Sequence, residues 1–146
     1  MFMTCELCEQ TGGEVLWRDA RCRVVYVDEP GYVGYCRVIW NAHISEMTEL
    51  AETDRRHCMR IVLAVEATLR ELLAPDKINL ASLGNVTPHL HWHVVPRFRD
   101  DPHFPNAVWG PPLRAARGTG AERPVAGLKS ALAAWLGPTS PEPSGP

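Results

Sequence analysis

His89-Leu90-His91-Trp92-His93-Val94-Val95-Pro96-Arg97 decides how this chain reads. Imidazoles alternate with large apolar side chains, and strict alternation marks a half-buried strand. In a strand, residues i, i+2 and i+4 share one face, with Cβ atoms stepping by roughly 6.6–6.8 Å. Residues 89–97 are therefore expected to form one strand. One face would carry a ladder of three imidazoles, and Leu90, Trp92 and Val94 would anchor the other in a core. Half of the six histidines stand in this ladder. Adjacent imidazoles suit phosphoryl chemistry or metal binding and fill space poorly.

Outward from this strand the period alternates between sheet and helix. Residues 15–18, 21–28 and 35–40 are rich in β-branched and aromatic side chains and read as three strands. Glu29-Pro30-Gly31 is turn chemistry. Cys58, Val62, Val65, Leu69 and Leu72 then recur at helical spacing. Thr53 or Asp54 is placed to cap that helix, and Pro75 lies past its end. Residues 77–83 give a fourth strand, and Gly84-Asn85-Val86-Thr87-Pro88 turns the chain into the histidine strand. Residues 99–121, rich in Pro and Gly, are expected to be irregular but packed. Leu128, Leu132, Trp135 and Leu136 support a short final helix. The linkers between consecutive strands are too short for crossover helices, so pairing should be mainly antiparallel. The expected class is α+β: a five-stranded sheet, one long helix and a short C-terminal helix. One domain spans 1–137, and the polar segment 138–146 is expected to be disordered.

Composition narrows the functional classes. A chain of 146 residues, 45% hydrophobic and 22% charged, can bury one core. Its formal net charge of -2 argues against a general nucleic-acid or membrane-surface binder. No apolar run approaches the roughly 18 residues of a spanning helix, and Met1-Phe2-Met3-Thr4-Cys5 is not a secretory signal. Five cysteines give no disulfide framework, which points to the reducing cytoplasm. Cys5-x-x-Cys8 reads as half of a zinc site, a redox pair or two incidental thiols. Cys22, Cys36 and Cys58 fall within strand or helix patterns and should be buried.

A neutral imidazole is a competent nucleophile for phosphorus. Neighbouring rings on one strand cannot all be cationic, so mixed protonation is expected. One ring can attack while another donates a proton, and His93 suits the donor's part. Asn79 and Asn85 can donate amide hydrogens to phosphate oxygens or orient a ring, and Gly84 would let its turn approach a ligand. His57 is expected at the surface and His103 at the surface or in packing. Trp109 either stacks on a base or, the safer assumption, covers an apolar edge.

The alternating histidines, with Pro96-Arg97 after them, resemble the signature of the histidine triad (HIT) superfamily. Cys5-x-x-Cys8, a strand leading into His43-Ile44-Ser45, a helix, and Asn79 ahead of Gly84-Asn85 fall in the same order, so the resemblance covers roughly residues 5 to 97. It implies hydrolysis or transfer of nucleoside monophosphate groups, most often from dinucleoside polyphosphates or phosphoramidates. His91, by position, is the nucleophile that becomes nucleotidylated, and His89, Asp28, Asn79 and Asn85 are implied to contact substrate. In some branches two N-terminal cysteines, a histidine after the third strand and the first triad histidine hold zinc; the matching set here is Cys5, Cys8, His43 and His89. A homodimer is implied as well. The chain departs from the family where a fourth active-site histidine is common and Tyr35 stands instead. It departs again at Trp40, where proline is usual, and at Val86, where a serine or threonine often stands. Two other readings compete: a metal-dependent hydrolase with zinc on His89, His91 and His93, and a nucleotide-binding protein without catalysis.

Overall fold

The computed structural model describes residues 4–116 and 124–143. A single helical turn, α1 (Glu6–Glu9), precedes three strands, β1 (Glu14–Arg18), β2 (Cys22–Tyr26) and β3 (Cys36–Trp40). A short 3-10 turn (Met47–Glu49) leads into the long helix α2 (Glu52–Leu73). Strands β4 (Lys77–Ala81) and β5 (His91–Arg97) follow, and helix α3 (Val125–Leu136) comes last. The five strands form one sheet in the order β1-β2-β3-β5-β4, with every pair antiparallel. This is the expected α+β architecture.

Register sorts the side chains into two faces, because directly opposed residues of antiparallel strands point the same way. Val24, Val38 and Trp92 form one cross-strand row, which packs under the helices. The apolar stripe of α2 supplies Cys58, Ile61, Val62, Val65 and Leu69, and α3 adds Leu128 and Leu132. A bulge between Val15 and Trp17 lets Leu16 and Trp17 both join that core. On the opposite face Arg23, Ile39 and His91 form one row, and Val25, Arg37, His93 and Ala81 the next. Ordinary strand alternation therefore gives the histidines a sheet face that no long helix covers.

Three local expectations are corrected. Strand β5 begins at His91, so His89 and Leu90 precede it. The His89 N–H donates to Thr87 O and remains part of the turn. Helix α2 starts from Ala51 with no side-chain cap, so neither Thr53 nor Asp54 caps it. The edge of β1 offers hydrogen-bond partners to the residues that follow α3. Ser140 N–H donates to Arg18 O, Arg18 N–H to Thr139 Oγ1, and Trp17 Nε1–H to Gly137 O. Residues 144–146, and 117–121 of the irregular segment, lie outside the described residues. His57 is not a free surface group: its Nε2 lies 2.6 Å from Asp19 Oδ2 and its ring stands edge-on to Trp40. Among the described residues no helix is long and apolar enough to cross a membrane.

The segment after β5 is irregular but firmly held, as its composition suggests. Arg97, almost fully buried, donates to both carboxylate oxygens of Asp101, to Asn106 O and to Asn79 Oδ1. Burial alone would raise the Asp101 pKa. Arg97 and the N–H groups of Phe98, Phe104 and His103 outweigh it and hold the carboxyl down at about 2. Tyr32 closes the cluster, with its hydroxyl 2.7 Å from His103 Nδ1 and its ring stacked on that imidazole. His103 is thus a packing residue.

Candidate active site and metal cluster

A cleft of about 360 Å³ opens on the histidine face, within the size range of small-molecule sites. His91, His93 and Arg37 form part of its lining on the sheet, and Glu6 and Leu7 of α1 form one wall. The turn 83–87 and Trp109 complete it. Gly84 holds φ +74°, a left-handed conformation that glycine adopts without strain. A larger groove of about 650 Å³, between α2 and α3, is lined by apolar side chains and two arginines and carries no nucleophile.

The tautomer of His91 is set by a backbone carbonyl. His91 Nδ1 lies 2.6 Å from His89 O. A carbonyl can only accept, so Nδ1–H donates, and the neutral ring keeps its lone pair on Nε2. His93 stands one step along the same face, ring centroid 4.9 Å from that of His91. Its Nδ1 is 3.0 Å from Tyr35 Oη, and Trp109 meets its ring edge-on at 4.8 Å. Burial, reinforced by the charges of His91 and Arg37, pushes the His93 pKa down to about 4. Burial also raises the Tyr35 pKa. The pair is therefore neutral at pH 7, and His93 can offer a hydrogen bond but is a poor reservoir of an acidic proton.

His89 belongs elsewhere. Its Nε2–H donates to Trp40 O at 2.6 Å, which leaves Nδ1 with a lone pair. That Nδ1 lies 3.3 Å from Cys5 Sγ, 3.5 Å from Cys8 Sγ and 3.3 Å from His43 Nδ1, and Cys8 Sγ is 3.4 Å from His43 Nδ1. The four ligand atoms all fall within 4.8 Å of one another. A tetrahedral ion at zinc–sulfur and zinc–nitrogen bond lengths sets ligand edges of about 3.3–3.8 Å. Four of the six spacings match, and the His89 tautomer is the one a metal needs. Arg23 fastens the N-terminal segment to the sheet by donating to Leu7 O, Gln10 O, Thr11 O and Asn41 Oδ1.

The sequence-derived site residues thus divide. His91, His93 and Asn85 come together at the cleft. Cys5, Cys8, His43 and His89 come together at the metal cluster. The ladder of three is corrected to a ladder of two, because His89 turns to the cysteines and is absent from the cleft lining. The three-histidine metal centre loses its geometry for the same reason. Asn79 shares the histidine face, opposite Val95, but its Oδ1 accepts from Arg97 and it does not line the cleft. Asp28 follows the end of β2 and is exposed. Alternation puts Val27 on the histidine face beside Tyr35 and Val95, so Asp28 is not brought to the cleft. Trp109 does more than cover an edge, since it lines the cleft. Arg37, Glu6 and Leu7 are lining residues that the linear reading does not single out. Arg37 had a signal: a lone arginine amid Cys36, Val38 and Ile39 of a central strand is costly unless it faces something polar.

A HIT domain model matches residues 9–100. Among solved structures the chain is similar to a histidine triad protein from Bradyrhizobium japonicum, with 24% identity and a TM-score of 0.71 over 92% of this chain and 97% of that one. A histidine triad protein from Marinobacter aquaeolei VT8 has 27% identity and a TM-score of 0.69 over 93% and 96%. A zinc-bound histidine triad family protein from Mycobacterium smegmatis has 22% identity and a TM-score of 0.66 over 90% and 95%. Among curated proteins none matches the chain. The sheet order, the paired cleft histidines and the matched span of 92 residues, well over half the chain, lead to one assignment: this protein belongs to the HIT family, a class of nucleotide hydrolases, transferases and nucleotide-binding proteins.

Proposed function

We propose that this protein hydrolyses nucleoside phosphoanhydrides through a nucleotidyl-His91 intermediate, with dinucleoside polyphosphates as the leading substrates. The observation that carries the reading is the 2.6 Å hydrogen bond from His91 Nδ1–H to His89 O, which leaves Nε2 free to attack. The Nε2 lone pair forms an N–P bond to the α-phosphorus. The P–O bond to the leaving group breaks, and its electron pair departs on the leaving oxygen. Water then adds to the same phosphorus and loses its proton to solvent. The P–N bond breaks, its pair returns to Nε2, and a nucleoside monophosphate is released. Tyr35 Oη–H donating to His93 Nδ1 leaves His93 Nε2–H to hydrogen-bond a phosphate oxygen as charge develops. Asn85 is assigned an orienting hydrogen bond from the turn that frames the cleft.

Zinc is the proposed occupant of the Cys5, Cys8, His43 and His89 cluster. The spacings above support it, as does the zinc-bound protein of the same fold from M. smegmatis. Two cysteines and two histidines form a closed set with no open position. Zinc there would act as a structural cross-link.

The test is a trapped adduct. Brief reaction with a dinucleoside triphosphate, acid-free quenching and peptide mapping should place one nucleotidyl group on His91, and His91→Ala should abolish both adduct and turnover while keeping the fold. An adduct on His93 or His89, or turnover without any adduct, overturns the mechanism. A parallel panel of nucleoside phosphoramidates decides the leaving group, and binding without turnover on either panel would identify a non-catalytic nucleotide-binding protein.

A further inference from the structure

Arg37 is the one positive charge in the cleft lining, and it is under-used. It stands on β3 between Val25 of β2 and His93 of β5, in the row that crosses the floor of the site. Its guanidinium reaches Gly12 O from Nη1 at a long 3.4 Å and lies within hydrogen-bonding reach of the Tyr35 hydroxyl, while its buried Nε has no partner. None of the ion pairs among the described residues involves it. Two other arginines of this face, Arg23 and Arg97, behave differently. Arg23 makes four hydrogen bonds, and Arg97 has a carboxylate, a carbonyl and an amide oxygen. A guanidinium with five donors in a rigid fork matches phosphate geometry. A buried N–H without an acceptor is costly in the folded protein; Nε itself is sealed from solvent, so an anion entering the cleft would be met by the Nη groups.

Attack by His91 needs one phosphate at Nε2. The neutral His93 supplies that phosphate with a hydrogen bond but no charge. We infer that Arg37 binds a second anionic group of the substrate, distinct from the phosphate that His91 attacks, so that this site selects nucleotides carrying at least two phosphates. This deepens the proposed function and rests on it. It adds a charge-reading residue that the triad itself does not contain. The leaving group follows from it: a phosphate leaves as a stabilised anion and needs a cation nearby more than it needs a proton, whereas an amine leaves only when protonated.

The experiment uses full-length protein in the His91→Ala background, so that binding is read without turnover, with calorimetry against nucleoside mono- and diphosphates of adenosine and guanosine. The parent should bind the diphosphate about tenfold or more tighter than the monophosphate. Arg37→Gln should bring the two within about twofold while leaving monophosphate affinity nearly unchanged, and Arg37→Lys should restore part of the preference as a point charge. Thermal melting of each variant confirms that it folds. Equal loss of both ligands in Arg37→Gln, or an unaltered preference, overturns the role. If the wild-type protein forms the His91 adduct while Arg37→Gln keeps its diphosphate preference, only this inference fails. If no nucleotide binds and no adduct forms, the functional reading fails with it.

Discussion

His93 sits between the edge of an indole and a phenol, and this environment fixes its protonation. In an unfolded chain a histidine takes up its proton near pH 6.5; in the fold His93 does so only near 4, chiefly because of burial. Between those values the unfolded chain binds more protons than the folded one, so stability must fall as pH drops from about 6.5 towards 4. From pH 7.5 to 5 this single group costs about 2 kcal/mol. Urea unfolding of His93→Asn should therefore show a shallower loss of stability over that interval than the parent, and identical slopes would contradict the assignment. Tyr35 fits the same picture. Where many relatives place a titrating imidazole, this chain has a hydroxyl that keeps its proton throughout the range, so the pair behind the nucleophile is fixed as neutral. Arg37 shows the limit of a one-dimensional reading. Its type was visible in the sequence, but which face it occupied depended on its pairing with Val25 and His93, and register is a property of two strands.

At the scale of elements, the strands and α2 were legible because period-2 and period-3.6 patterns are imposed by burial on one side. Ends were less legible. The alternation of His89 continues that of β5, yet the chain has not joined the sheet there, because its N–H is used by Thr87 O in the turn. Side-chain alternation reports spacing and is blind to backbone pairing. Helix α1 has only four residues, too few for any period to show. Its neighbours place it: Cys5 immediately precedes it, Cys8 lies within it, and His43 and His89 reach it from the exit of β3 and the entry of β5. The proposed ion would join three distant segments, stabilise the folded chain that alone presents all four ligands, and organise the N-terminus. Removing it with a chelator should lower stability by about 3–5 kcal/mol, or about 10–15 °C in Tm, and Cys8→Ser should reproduce the shift without chelator. Metal analysis of gently purified protein showing no zinc, with a Tm indifferent to chelation, would remove the cluster from the account.

The whole molecule has one sheet face closed by α2 and α3 and another given over to the cleft and cluster. Its two sheet edges are treated differently. Residues 139 and 140 bond along β1, whereas β4 is the terminal strand on the other side, with no strand beyond it among the described residues. An uncovered strand edge invites pairing with another chain. The resemblance to the triad family implies a dimer that joins two five-stranded sheets, and β4 is the edge where such a sheet would continue. Sedimentation equilibrium should accordingly return twice the 16.3 kDa chain mass at micromolar concentration. A monomer with full activity under those conditions would refute the dimer.

Glu6 and Leu7 belong at once to the turn between the two cysteines and to the wall of the cleft. The proposed ion and nucleotide would share that wall, and any coupling between them would be reciprocal: the factor by which the ion improves nucleotide affinity is the factor by which nucleotide improves affinity for the ion. The supply of the proposed metal would then set the substrate concentration at which the protein begins to work. A cell starved of the ion would lose turnover first at low substrate, and in a cell rich in substrate the cluster would bind the ion most tightly.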